Sequence, residues 1–396
     1  FPEITSWKPE HNTSSPEITS WKLIKKTVAS SSSEIKSWIY WNKTKKITCW
    51  KPEPNTLLPD RLSNLSDDIL LHILASLNDT KYAVQTSVLS KRWRLLWTSL
   101  EELHFHRESF YRDSSFHNFV RAVLTDQRCV NSRVDRFWYY AYLDTTMLTQ
   151  VTSYALSRCA RELVIAHASC LGNAILPDLS SGSPTLKTLH LEGLKIERRS
   201  SFGHSMLGLT SLHLQFVRAT SGCFGECFDI FNVFPNLTNL CFSWCHLGGA
   251  NLKITGPKIV SLKLDDVTDV GQLELSLPNL EVFEYYFTLG YGEVHDFWLI
   301  NLPSLRYADL KVYRGRLQTY GHKLLKVLQG IRNVESLVIN LKALQESGLL
   351  ENRKSPFRNL KDLKFWWSSK SVPATIMTYF ISGTHYSQDL EFGFMY

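Results

Sequence analysis

Cys223 and Cys227, then Cys241 and Cys245 with His246 beside them, are the residues of this chain whose types and spacing first invite a chemical reading. Two Cys-x-x-x-Cys pairs next to a histidine suggest zinc, which requires four sulfur or nitrogen ligands converging tetrahedrally. Cys241 directly precedes Phe242 in an alternating apolar run and so belongs to a strand. Cys227 and Cys245 are read as turn residues, and a buried free cysteine is ordinary. No metal site is expected. Lys91 and Arg92 near His72 could hold a phosphate, but no glycine-rich P-loop accompanies them. Gly248-Gly249 is read as a turn. No nucleophile elbow is present from which a Ser/His/Asp set could be assembled. The thirteen histidines show no ligand spacing. The chain is therefore read as a non-enzyme without cofactors, and its chemistry as that of recognition.

Recognition needs side chains held on a frame, and the frame is repetitive. An apolar-x-x-apolar-x-apolar motif starts at Leu100, Val134, Ala160, Leu186, Leu209, Leu237, Ile259, Leu280, Leu305, Val334 and Leu360. The intervals run from 21 to 34 residues, the period of irregular leucine-rich repeats. Each motif predicts a short strand in a stack, with its apolar residues in the core and the residues between them facing out. Prolines such as Pro184, Pro235, Pro257, Pro278, Pro303 and Pro356 stand just ahead of the motifs, where they cannot interrupt a parallel sheet. Phe116, Phe119, Val120, Val123 and Leu124 predict a helix within 111–131. Leu148, Val151, Tyr154, Ala155 and Leu156 predict another within 143–163. Partners of such stacks are usually met on the strand face. Among its outward residues, Tyr286, Tyr307, Lys311, Lys364 and Trp366 are the candidate target-binding set, because aromatic anchors dominate protein interfaces. Tyr285 and Trp367 add aromatics beside them, and Lys263, Glu284, Asp309 and Asp362 add mixed charge. A mixed, aromatic surface suits a protein target; nucleic acid would call for a basic stripe.

Ahead of the repeats lies a different pattern, Leu62 to Leu100. Leu65, Ile69, Leu70, Ile73, Leu74 and Leu77 recur at helical spacing. Asn78-Asp79-Thr80 interrupts them. Ala83, Val84, Val88 and Leu89 suggest a second short helix, and Lys91 to Trp97 a third. A unit of about forty residues can scarcely stabilise itself, so it leans on the chain or on a partner. Leu62, Leu65, Ile69, Leu70, Val88 and Trp93 are its candidate contact residues; some of them must instead hold the helices together. Trp97, Leu100, Leu103 and Phe105 run into the first strand without a Gly/Ser/Pro linker, which predicts rigid docking on the first repeat.

Thr86-Ser-Val-Leu-Ser-Lys-Arg-Trp-Arg-Leu-Leu-Trp97, following the Asp68-Ile-Leu-x-x-Ile-Leu74 helix, resembles an F-box. The form is that of plant F-box/leucine-rich-repeat proteins, with FBD-type relatives whose C-terminal FBD domain looks absent or truncated here. The resemblance implies a mixed α/β chain, a small three-helix F-box-like domain (57–99) followed by a curved leucine-rich-repeat solenoid (100–396). It further implies that the small domain docks on the Skp-type adaptor of a cullin-RING ubiquitin ligase while the repeats select an unknown protein target. Ser66 stands where the family usually has proline, though serine can cap a helix. Asn78 to Lys81 form a longer turn than the family's.

Composition sets the remaining bounds. The chain has 396 residues and a net charge of +7, of which residues 1–56 contribute four through nine lysines and five glutamates. The mild remainder does not call for nucleic acid. No apolar run reaches a membrane span, and no charged-then-apolar leader opens the chain. Eight scattered cysteines suit a reducing compartment, so nucleus or cytoplasm is expected. Residues 1–56 repeat a Glu-Ile-Thr-Ser-Trp-Lys motif at Glu3 and Glu17 and are read as low-complexity sequence without a fixed fold. They open on Phe1 rather than methionine. Two alternatives stay open: a repeat-based binding module outside any ligase, and a gene-model remnant without stable function.

Overall fold

The computed structural model describes residue 62 and residues 64–395, apart from 127–132, 143, 168–172, 180–183, 198–201, 203–205, 289–294, 314–320, 341–349, 351–352, 367–373 and 383–390. The expectations for residues 1–56 and for Trp367 fall outside these. Two compact units divide between Leu100 and Glu101.

The first unit is helical. Helix α1 spans Asp67–Ala75, α2 Thr80–Gln85 and α3 Trp93–Leu96, with a 3-10 turn after each of the last two. Asp67 and Asp68 place negative charge in the first turn of α1, where the helix dipole favours it. Ser66 is at the N-cap with extended backbone, but its hydroxyl makes no cap bond. The polar interruption works through two residues. Asn78 takes a left-handed φ of 51°, which ends the helix, and Asp79 accepts the Lys81 N–H at 2.9 Å, which starts the next. Leu70, Leu74, Ala83, Trp93, Leu96 and Trp97 are buried. Arg92 ties α3 back to the start of α1: its guanidinium donates to Asp67 Oδ1 and to the Leu65 carbonyl, both at 2.7 Å.

The second unit is built on one twelve-stranded sheet in which every neighbouring pair is parallel and strand order follows chain order. Its strands are β1 Glu102–His106, β2 Arg136–Ala141, β3 Glu162–His167, β4 Thr188–Glu192, β5 Ser211–Gln215 and β6 Asn239–Ser243. They continue as β7 Ser261–Asp265, β8 Val282–Thr288, β9 Tyr307–Tyr313, β10 Ser336–Asn340, β11 Asp362–Trp366 and β12 Glu391–Met395. The eleven repeat motifs account for β1 to β11. The twelfth strand was not among them: its Phe392-Gly-Phe394 keeps the alternation, but no apolar residue stands three positions before Phe392.

No register shift interrupts this ladder, so equivalent motif positions line up in rows. Leu240, Leu262, Phe283, Ala308, Leu337 and Leu363 form one such row. All six are buried, as are the motif-opening Leu186, Leu209, Leu237, Ile259, Leu280, Leu305, Val334 and Leu360. The residues between them alternate to the other face, as a period of two requires.

The connections differ along the unit. After β1 and β2 come helices α4, Asp113–Leu124, and α5, Thr145–Ser157. They bury Phe116, Val120 and Val123, and Met147, Leu148, Val151 and Ala155. Asp144 caps α5 by accepting the Met147 N–H at 2.9 Å. Between β5 and β9 the connections instead contribute a second parallel sheet of Cys227–Asp229, Asn251–Thr255, Gln272–Ser276 and Asp296–Asn301. Apart from the single turn Ile230–Val233, helices return after β9 and β11, at Gly321–Gly330 and Ala374–Ile381. Asn236, Asn279, Ser304 and Asn333 each donate a side-chain hydrogen bond to a carbonyl of the preceding repeat, at 2.6–3.1 Å. These satisfy backbone oxygens at the turns into the strands that the sheet leaves unpaired.

Candidate functional site

The helical unit divides its apolar residues into two groups, a division the sequence pattern could not make. Leu70 is 0% and Trp93 6% exposed, so both belong to the core. Leu62 and Leu65 are half-buried. Ile69 and Val88 stand out at 49% and 87% exposure. Leu89 and Leu95, absent from the candidate set, are exposed as well. Both lie in the dodecapeptide Thr86 to Trp97, whose spacing marks helix but not which side of a short helix is covered. An exposed valine and two exposed leucines on so small a unit make an apolar surface of the kind that marks interaction sites. Burial of Leu70 and Trp93 means that they support this surface without forming it.

On the sheet, the outward positions of β8 to β11 gather an aromatic and charged cluster. Register puts Tyr286 opposite Lys311 and Glu284 opposite Asp309. The Lys311 ammonium lies 4.1 Å from the centre of the Tyr286 ring and 4.3 Å from that of Trp366. It pairs with Asp309 Oδ2 at 3.0 Å, and the Tyr286 hydroxyl donates to the same oxygen at 2.8 Å. Lys263 sits 4.9 Å from the Tyr286 ring and 3.5 Å from Glu284. Burial, then the Asp309 hydrogen bond and charge, push the Tyr286 phenol far above its usual range. Tyr307 is half-buried and is pushed up by burial and by Asp309, Glu284 and Asp362. Lys364 is exposed and pairs with Asp362 at 3.0 Å. Thus Tyr286, Lys311 and Trp366 meet around one ammonium, and Tyr307 feels the same carboxylates, while Lys364 pairs separately with Asp362. Asp309 at the centre was named only as a charge beside the set; a carboxylate opposite Glu284 and two positions before Lys311 was the available signal.

Tyr285 points the other way. It is fully buried, its hydroxyl 3.1 Å from His295 Nδ1, and His295 Nε2 lies 2.8 Å from the Val267 carbonyl. Burial lowers the His295 imidazole to about 4.

The early strands carry further ring contacts on outward positions, His190 and His213 among them, that the candidate target-binding set leaves out. His104 stacks on Trp138 at 4.9 Å, and the Trp138 indole donates to Glu162 Oε1 at 3.0 Å. His190 and His213, register partners on β4 and β5, approach to 5.0 Å. Burial and the His213 charge bring His190 down to about 4. His104, Trp138, His190 and His213 occupy the middle outward position of their strands, the same position as Asp309, and Glu162 stands two residues ahead of it on β3.

The cysteines do not converge. Cys245 is fully buried with Sγ 3.3 Å from the carbonyls of Leu214 and Ser243, and burial pushes its thiol up to about 12. Cys227 and His246 are exposed. Among the described residues, no three His, Cys, Asp or Glu side chains are grouped so as to hold a metal, and no helix is long and apolar enough to cross a membrane.

Residues 62–105 match the F-box domain. An F-box/LRR-repeat protein of Arabidopsis thaliana is 27% identical over 341 residues, 77% of this chain and 71% of the relative. An F-box/FBD/LRR-repeat protein of the same plant is 25% identical over 78% of this chain and 72% of its own length. Another is 30% identical over 64% of this chain, which spans about half of that relative, 52%. The chain carries an F-box domain and is similar over most of its length to plant F-box/LRR-repeat proteins.

Proposed function

We propose that this F-box protein is the substrate-recognition subunit of an SCF-type cullin-RING E3 ubiquitin ligase. The observation that carries the proposal is the apolar surface of the helical unit, exposed at Ile69, Val88, Leu89 and Leu95 within the segment that matches an F-box. A Skp-type adaptor covers that surface. Half-buried Leu62 and Leu65 add to that contact, while buried Leu70 and Trp93 serve the core of the unit. The sheet unit, residues 100–396, is read as a curved leucine-rich-repeat solenoid with repeats of 21–34 residues, and its outward strand face binds the protein target. Tyr286, Tyr307, Lys311, Lys364 and Trp366 lie at that contact. The chain itself forms and breaks no bonds: it raises the effective concentration of a bound target near the ubiquitin-charged partner. Such a role suits the nucleus or the cytoplasm.

Affinity purification from plant cells tests this. Adaptor and cullin are expected to co-purify with the chain, and Val88→Asp combined with Leu89→Asp is expected to remove both. Both positions are exposed, so the fold survives the change. Recovery of adaptor and cullin by the double variant at the unaltered level would overturn the proposal.

A further inference from the structure

The outward face of β7 to β11 carries more negative charge than its lysines balance. Asp265, Glu284, Asp309 and Asp362 stand there against Lys263, Lys311 and Lys364, one carboxylate in excess. The lysines are already committed, at 3.0 to 3.5 Å, to Glu284, Asp309 and Asp362. Burial raises Tyr286, Tyr307 and Asp265; neighbouring carboxylates push the two phenols further up, while at Asp265 the charges of Lys263 and Lys311 work against those of Asp266 and Glu284.

Lys311 shows what this surface accommodates. Its ammonium is held between two aromatic rings and a carboxylate, the arrangement by which proteins hold cations in general. The carboxylate is not used up. Asp309 is 5% exposed, and its Oδ1 is buried without a hydrogen-bond partner among the described residues. An unpaired carboxylate oxygen in such surroundings is costly and gains from a charged donor.

We infer that the target segment is basic, and that one of its arginine side chains docks against Tyr286, Trp366 and Asp309. This deepens, and rests on, the reading that the late strands bind the target. A guanidinium fits better than an ammonium: it is planar, it stacks on aromatic faces, and it presents several N–H groups to a carboxylate. Lys311 already fills the place of a point charge. An acidic or phosphorylated segment would meet the excess carboxylate and find every lysine paired.

The test is a fluorescence-anisotropy titration of the full chain with two labelled peptides of equal length, one alternating arginine with serine, the other glutamate with serine. The arginine peptide is expected to bind, more weakly as salt is raised, and the glutamate peptide to remain unbound where the first saturates. Asp309→Asn is expected to weaken the arginine peptide by about tenfold, as loss of one charge-assisted contact implies. Lys311→Met, which removes a competing cation, is expected to tighten it several-fold, a gain that a merely structural role would not produce. If thermal unfolding shows either variant misfolded, half-buried Glu284→Gln supplies the same loss of negative charge and is expected to weaken binding several-fold. Equal binding of the two peptides, or arginine binding indifferent to the folded variants, would overturn the inference. Capture of the cellular target by the Tyr286, Tyr307 and Trp366 to alanine variant tests the underlying reading separately. Loss of capture there, with indifference to charge here, removes the arginine alone; unchanged capture removes the site.

Discussion

In the helical unit, apolar side chains lie on both sides of the division between core and surface; in the twelve-stranded sheet, that division follows the strand alternation at most positions, with exceptions such as buried Val338. Leu70 and Ile69 are neighbours in α1, the one at 0% and the other at 49% exposure. On β8, Phe283 and Tyr285 are buried while Glu284 and Tyr286 reach the surface. The small unit therefore offers a partner an apolar surface, whose contacts are dry and close-fitting. The large one offers aromatics ringed by paired charges, whose contacts are directional. The contrast teaches that the two recognition tasks draw on different physics, and that damage to each will look different in measurement.

The largest expected effects are in the cores. Phe283→Ala, in the row that runs the length of the sheet, is expected to lose about 3–5 kcal/mol of stability by denaturant titration. Leu70→Ala in the helical unit is expected to lose about 2–5 kcal/mol and adaptor binding with it. A Leu70→Ala protein of unaltered stability would break the assignment of that residue to the core.

Acidity should act on the sheet unit. The folded imidazole of His295 is depressed to about 4 by burial, while an unfolded histidine titrates near 6.5. Between those values the unfolded chain binds more protons, so stability falls as pH is lowered. The loss is on the order of 3 kcal/mol by pH 4. His295→Gln should flatten the pH dependence of the unfolding midpoint across that window, and an unflattened curve would shift the cause to other groups, His190 first.

Arg92→Ala is expected to cost about 1 kcal/mol, since its pair with Asp67 is largely exposed and only the bond to the Leu65 carbonyl is sheltered. Smallest is Val88→Ser: within about 0.5 kcal/mol in stability, as for exposed positions generally, yet adaptor affinity by calorimetry should drop severalfold. Together these sharpen the comparison, because only the apolar surface separates binding from stability so cleanly.

Strand positions were legible because a period of two assigns each residue to a face without knowledge of its neighbours. Leu189 and His190 illustrate this: the motif alone puts the first in the core and the second outside. Helix periodicity gave α4 and α5 for the same kind of reason. It could not sort Ile69 from Leu70, because short helices in a small unit leave the covered side to tertiary packing. Nor could it see that Asp309 would gather Tyr286 and Lys311, since that meeting depends on register between strands some twenty-five residues apart. The carbonyl-capping Asn and Ser residues went unseen because their partners lie in the previous repeat. The second sheet shows the same alternation, at Leu252-x-Ile254 and Leu273-x-Leu275, but falls within the intervals that the repeat period had already given to connections.

Because the parallel ladder runs through twelve strands without a slip, every outward residue has an address given by strand and by place along it. Changing Glu284 leaves the backbone bonds of Asp309 and Lys263 untouched. Lineages can therefore rewrite the text of this surface one letter at a time while the page that carries it is copied unchanged. Duplicated copies of such a gene would diverge first in what they read, and only much later in how they fold.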